Sequence, residues 1–357
     1  MTNTLKLILL SAAAAALLLA AAFSALERAE TARQERLDWR EINNIAAARG
    51  LGEAVFEVEK RLAAHPNDAL LHYYRARLYY EADQGREALE EADRAIMLGY
   101  AQEVSHVLKA LVYGRLYGDH ARQKELASKA LVYDPTYDDG YLVRAEAGYA
   151  LADYKACAAD AASYSRMNPK ETDGFELSLL CLERLGDSAG AEKAGLKILK
   201  LKPEDHAALW RLGRIYAARG LHKRALKRFS EALRISGGRP KYFLDRAASC
   251  EALGDFPCAA WDYSSAMDWQ QVSGYASYYY LLGSAMHRIG ELKSGLEAAE
   301  TAVAKAPSEP AHYELRGRLR AELGDAPGAK KDFKQMSTLS PSLQPEAENL
   351  IEQLKKK

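Results

Sequence analysis

The pentapeptide Gly186-Asp187-Ser188-Ala189-Gly190 has the G-x-S-x-G spacing that sets a nucleophilic serine on a tight elbow for acyl transfer. That elbow needs a strand before the serine. Here the preceding segment, FELSLLCLERL, carries its apolar residues at helical spacing. The Gly-Asp pair also recurs at 118–119, 254–255 and 324–325, which makes it an ordinary turn. The eight histidines are scattered, with no i, i+4 pair to hold a metal on one helix face. There is no H-E-x-x-H, no phosphate-cradling glycine loop and no C-x-x-C. The chain therefore reads as non-enzymatic, with no catalytic residue, metal or cofactor expected.

What remains as chemistry is aromatic and cationic. The 357 residues contain 21 tyrosines against 7 phenylalanines, an excess of half-exposed rings with polar tips. The 49 basic and 49 acidic residues give a net charge of zero, so nucleic acid is not an expected partner. The neutrality is uneven: Lys193–Lys241 holds 14 Lys/Arg and only three acids. Lys223, Arg224, Lys227 and Arg228 form a basic patch there. It reads either as a solvated helix face or as a dock for an acidic protein, an anionic glycan or a lipid headgroup.

The elements that position these residues follow a 34-residue beat. Pro135, Pro169 and Pro203 are 34 apart, as are Pro307 and Pro341. Gly186, Gly220 and Gly254 keep the same phase, as do Ala191, Ala225 and Ala259 five places later. Each period reads as helix, turn, helix. In residues 206–239, Leu209, Leu212, Gly213 and Tyr216 mark one face of a first helix. Gly220 ends it, and Ala225, Phe229 and Ala232 mark the packed face of a second. Small residues on both helices permit close approach.

This pattern resembles the tetratricopeptide repeat (TPR) family, most closely in LWRLGRIYAARGLHKRALKRFSEAL, Leu209 to Leu233. Nine repeats are expected: 35–68, 69–102, 104–137, 138–171, 172–205, 206–239, 240–273, 276–309 and 310–343. Residues 344–357 read as a capping helix, as a terminal repeat requires. The resemblance implies an all-α, right-handed superhelical solenoid whose concave groove is lined by first helices. Projected onto these repeats, the groove takes Tyr73, Tyr74, Arg77, Tyr80, Lys109, Arg115 and Tyr149, then Trp210, Arg211, Arg214, Tyr280, His287, Arg288 and Arg318. Tyrosine, tryptophan and arginine are the residues that dominate protein interfaces. Some family members grip a peptide's C-terminal carboxylate with paired asparagines. No asparagine lies in the first helices of repeats 2 to 9, so that clamp is not expected.

Four cysteines allow three pairings. Cys250 and Cys258 flank the turn of one repeat. Cys157 opens a second helix, and Cys181 lies late in the following first helix. Antiparallel neighbours can bring both pairs within reach, so 250–258 and 157–181 are the pairings expected if disulfides form. The competing reading is buried free thiols at small-residue positions.

Residues 7–26 carry no charge and as a helix would rise about 30 Å, the thickness of bilayer hydrocarbon. Residues 1–26 read as a signal anchor or as a signal peptide cut after Ser24, followed by a linker helix at 27–34. Lys6 and the terminal amine hold that end in the cytoplasm and send the rest across. The expectation is a single-pass membrane protein with its body on the periplasmic or extracellular side, or the same body secreted after cleavage. Its role is expected to be a scaffold for protein or peptide partners. A structural subunit of an envelope assembly or secretion complex is the alternative.

Overall fold

The computed structural model describes residues 39–267 and 274–355. The expected membrane segment at 1–26 and the linker at 27–34 lie outside the described residues. Among the described residues no helix is long and apolar enough to cross a membrane.

Among the described residues there are helices and turns and no strand. The chain divides after Pro169 into two compact bodies. The first holds α1 (residues 39–49), α2 (Leu51–Ala64), α3 (Ala69–Glu81), α4 (Gly85–Met97), α5 (Gln102–Tyr117), α6 (His120–Tyr133), α7 (Asp138–Ala150) and α8 (Tyr154–Met167). The second holds α9 (Asp173–Leu185), α10 (Ser188–Leu201), α11 (His206–Ala218), α12 (His222–Ser236), α13 (Pro240–Ala252) and α14 (Phe256–Met267). It continues with α15 (Ala276–Arg288), α16 (Leu292–Lys305), α17 (Pro310–Glu322), α18 (Ala326–Leu339) and α19 (Gln344–Gln353). Within each body, consecutive helices pack as hairpins.

Local sequence explains where the helices begin and how closely they pack. The aspartates of the Gly-Asp turns are N-caps: Asp119, Asp187 and Asp325 accept from the backbone N–H of Arg122, Gly190 and Gly328. Gly186 ends α9 in the left-handed region at φ 75°, a conformation that residues with a Cβ adopt only under strain. Gly317 lets Phe333 cross it: a Cβ there would sit 2.6 Å from the ring. Gly213 does the same for Phe229. Buried alanines such as Ala191, Ala225, Ala259 and Ala329 complete the tight hairpins.

An ion-pair rung recurs inside the hairpins and was not anticipated from the sequence. Arg144 grips Asp160 at 2.8 and 2.7 Å, Arg246 grips Asp262 at 2.8 and 2.7 Å, and Arg316 grips Asp332 at 3.0 and 2.6 Å. Arg75 and Glu91 pair at the same 16-residue spacing. Asp262 and Asp332 are fully buried, so each needs its arginine: breaking such a pair costs about 3–5 kcal/mol.

Candidate binding sites

In the first body, Trp39 on α1, Tyr73, Tyr74, Arg77 and Tyr80 on α3, Tyr100, and Tyr137 line a cleft of about 550 Å³. Val104, Val107, Leu108 and Leu111 of α5 form its apolar wall, and Glu81 and Asp139 stand at its edge. The rings hold one another. Tyr73 stacks on Tyr100 at 4.7 Å, and Trp39 lies 5.2 Å from Tyr74. The Arg77 guanidinium sits 4.0 Å from the Trp39 ring centre, and Arg115 sits 5.0 Å from that of Tyr80. Tyr137 donates to Asp139 at 3.3 Å. Burial and the Asp139 charge push its phenol far above the ordinary value, so it stays a donor.

In the second body, Trp210 of α11 is the centre of a different arrangement. Its ring is buried and stacks on Tyr242 of α13 at 5.3 Å, and its Nε1–H donates to Asp245 at 2.6 Å. His206 shares a 2.9 Å hydrogen bond with the Tyr242 hydroxyl. Three cations surround the indole: Lys241 Nζ at 4.2 Å, Arg214 at 5.0 Å and Arg211 at 5.6 Å from the ring centre. Arg211 also donates to Glu183 at 2.5 Å. Burial pushes the Asp245 carboxyl above its ordinary value, while the Trp210 hydrogen bond and the charges of Arg214 and Lys241 pull it back. Burial and the like charges of Arg211, Arg239 and Arg214 hold the Lys241 ammonium below its ordinary value.

The residues projected onto the groove fall into three groups. Tyr73, Tyr74, Arg77 and Tyr80 converge on the first cleft, with Arg115 beside it paired to Asp83 at 3.0 Å. Trp210, Arg211 and Arg214 form the second site. The rest are spent on internal contacts: Lys109 on Asp93, Tyr149 on Tyr154, Tyr280 on His312, His287 on Glu322, Arg288 on Phe256, and Arg318 on Glu314. Tyr73, Tyr74 and Trp210 are 8, 3 and 9% exposed, so they serve as floors rather than projecting rings. Trp39, Tyr100, Tyr137, Lys241, Tyr242 and Asp245 were missed by the projection. Tyr100 and Tyr137 lie just outside the first helices it used; Lys241 and Tyr242 open one.

In the basic patch, Lys223, Arg224 and Lys227 are exposed on α12, and Arg228 donates to Glu231 at 2.9 Å. The expected Cys250–Cys258 disulfide is present, joining α13 to α14. Cys157 and Cys181 are buried, and no cysteine is a free thiol. Among the described residues, Cys250, Cys258 and Asp262 place ligand atoms within 4.8 Å of one another. Both sulfurs are bonded to each other and the carboxylate is gripped by Arg246, so the oxidised form has no donor set for a metal.

No family model matches the chain, and no curated protein matches it. Solved structures do. YrrB, described as a TPR protein with an unusual peptide-binding site, is 16% identical, with a TM-score of 0.50 over 55% of this chain and 98% of that one. The fold is the tetratricopeptide-repeat fold. A tetratricopeptide repeat protein from Parabacteroides merdae is 14% identical over 71% of this chain and 98% of that one, with a TM-score of 0.49. MamA is 22% identical over 46% of this chain and 95% of that one, with a TM-score of 0.43. The TPR fold accounts for the hairpins, the Gly-Asp turns and the small residues at their crossings.

Proposed function

We propose that this TPR chain is a non-catalytic scaffold that holds segments of partner proteins, and that the first cleft is one place where it does so. The observation that carries the reading is the cleft itself. Six aromatic rings and one arginine face a space large enough for one or two partner side chains, and aromatic anchors in desolvated pockets dominate interface energy. The peptide-binding site described for YrrB supports the same use of the fold. In this reading the repeats form one right-handed solenoid of nine units over residues 35–343, capped by 344–357. The segment at 1–26 tethers it to a membrane or is removed on export. The Cys250–Cys258 disulfide, together with a 157–181 pair, suits a body outside the cytoplasm.

A photo-crosslinking residue placed at Tyr80 in the native host tests this. The expected outcome is a discrete polypeptide adduct from Tyr80 and none from Arg86, which is exposed on α4. Equal labelling from both positions, or none from Tyr80, rejects the cleft as a partner site. Fractionation of the same cells tests the tether.

A further inference from the structure

We infer that the Trp210 site of the second body binds side-chain carboxylates of an acidic polypeptide segment, with Arg214 and Lys241 as the donors. Three cations converge on one indole, and their needs differ. Arg211 already donates to Glu183, and the indole N–H is already taken by Asp245. Among the described residues, no carboxylate lies within hydrogen-bond reach of Arg214 or Lys241, and both side chains are exposed. Each head nevertheless rests against the Trp210 ring, at 5.0 Å for Arg214 and 4.2 Å for Lys241 from its centre. A cation over an indole is attracted by the ring quadrupole, which fixes the head without neutralising it. Two pre-ordered like charges at one place are a standing electrostatic cost that an anionic ligand removes.

The surroundings point the same way. Asp245 and Glu183, the acids at this site, are already engaged, while Lys193–Lys241 carries 14 cations to three acids. Such a field attracts acidic chains before contact. Arginine offers a planar fork that matches a carboxylate, and lysine a compact point charge beside it. The ligand chemistry is therefore a pair of carboxylates on one flexible chain. Its source is glutamate or aspartate side chains rather than a terminal carboxylate, since two separate cations await partners. The inference rests on the scaffold reading only for the polypeptide nature of the ligand.

Fluorescence anisotropy with the full-length chain and three dye-labelled probes tests it: octaglutamate, octaglutamate with an amidated C-terminus, and octaglutamine. Both glutamate peptides should bind at low salt and octaglutamine should not. Arg214→Gln with Lys241→Gln should weaken octaglutamate binding by about tenfold or more. Lys223→Gln with Arg224→Gln removes the same charge from the outer helix and should weaken it by less than about threefold. Unchanged circular dichroism shows that the variants fold. Absence of octaglutamate binding, equal loss in the two double variants, or loss on amidation each overturns the inference. Crosslinking from Tyr80 reads the scaffold function separately. A Tyr80 adduct without octaglutamate binding discards this site alone. Octaglutamate binding without a Tyr80 adduct discards the first cleft and leaves this site standing.

Discussion

The two sites use the same residue types in opposite proportions. In the first body six rings and one arginine line an open cleft; in the second, one buried indole carries three cations. An aromatic-lined cleft recognises shape and apolar area, and tolerates varied ligands. A cation-ringed indole recognises charge, and its floor is already filled by Tyr242. One repeat geometry thus supports two recognition chemistries, because the helices fix backbone positions while the side chains on them are free to differ.

The sharpest way to break this contrast is to remove a wall from each site. Trp210 is packed on Tyr242, bonded to Asp245 and covered by three cations. Trp210→Ala should therefore cost about 3–5 kcal/mol in urea unfolding. Tyr80 is half-buried at an open cleft, and Tyr80→Ala should cost about 1 kcal/mol or less. Equal losses would mean that the first cleft is as tightly built as the second site.

A smaller effect separates the bodies through covalent structure. The Cys250–Cys258 disulfide closes a short loop between α13, which carries Lys241 and Asp245, and α14. For a loop of this length the entropic contribution is about 2–3 kcal/mol. Cys250→Ala with Cys258→Ala should lower stability by that amount. Hydrogen exchange should rise in α11–α14 and stay unchanged in α3–α5. Deprotection spreading into α3–α5 would show that the first body's stability depends on this hairpin.

The helical hairpins and the TPR fold were legible in the sequence because they depend on local signals: left-handed glycines, N-capping aspartates, and small residues where helices cross. Gly186 and Gly213 announce their roles by position alone. The sites were legible only in part. Tyr73, Arg77, Trp210 and Arg214 stand out by type on a first helix. Trp39 and Lys241 do not, because they join their sites through packing between helices. The ion-pair rungs share that character: Arg246 and Asp262 are 16 residues apart, and nothing in either residue type declares that the pair is buried. Burial also reversed a simple expectation, since a ring on the groove face can be its floor, as Tyr74 and Trp210 are.

The subtlest difference between the bodies is the sign of their response to acid. In the first, Asp153 is held below its ordinary value by a hydrogen bond from Lys124, with help from the backbone N–H of Ala156. A depressed folded-state value means that stabilisation is present above about pH 4, the unfolded carboxyl value, and is lost as the pH falls through the folded value. In the second, burial raises Asp245. A raised folded-state value gives the opposite slope. That carboxyl's favourable contribution is complete below about pH 4 and is lost as the pH climbs through the folded value. Asp245→Asn keeps an oxygen acceptor for the Trp210 N–H and removes the titration. Hydrogen exchange of α13, followed from about pH 3 to 7, should show the wild type losing protection relative to Asp245→Asn as the pH rises. For Asp153→Asn, exchange of α8 should show the wild type gaining protection relative to the variant over the same range. Parallel wild-type and Asp245→Asn curves would mean that Asp245 ionises as freely in the folded body as in water, the Trp210 hydrogen bond and the charges of Arg214 and Lys241 offsetting its burial in full.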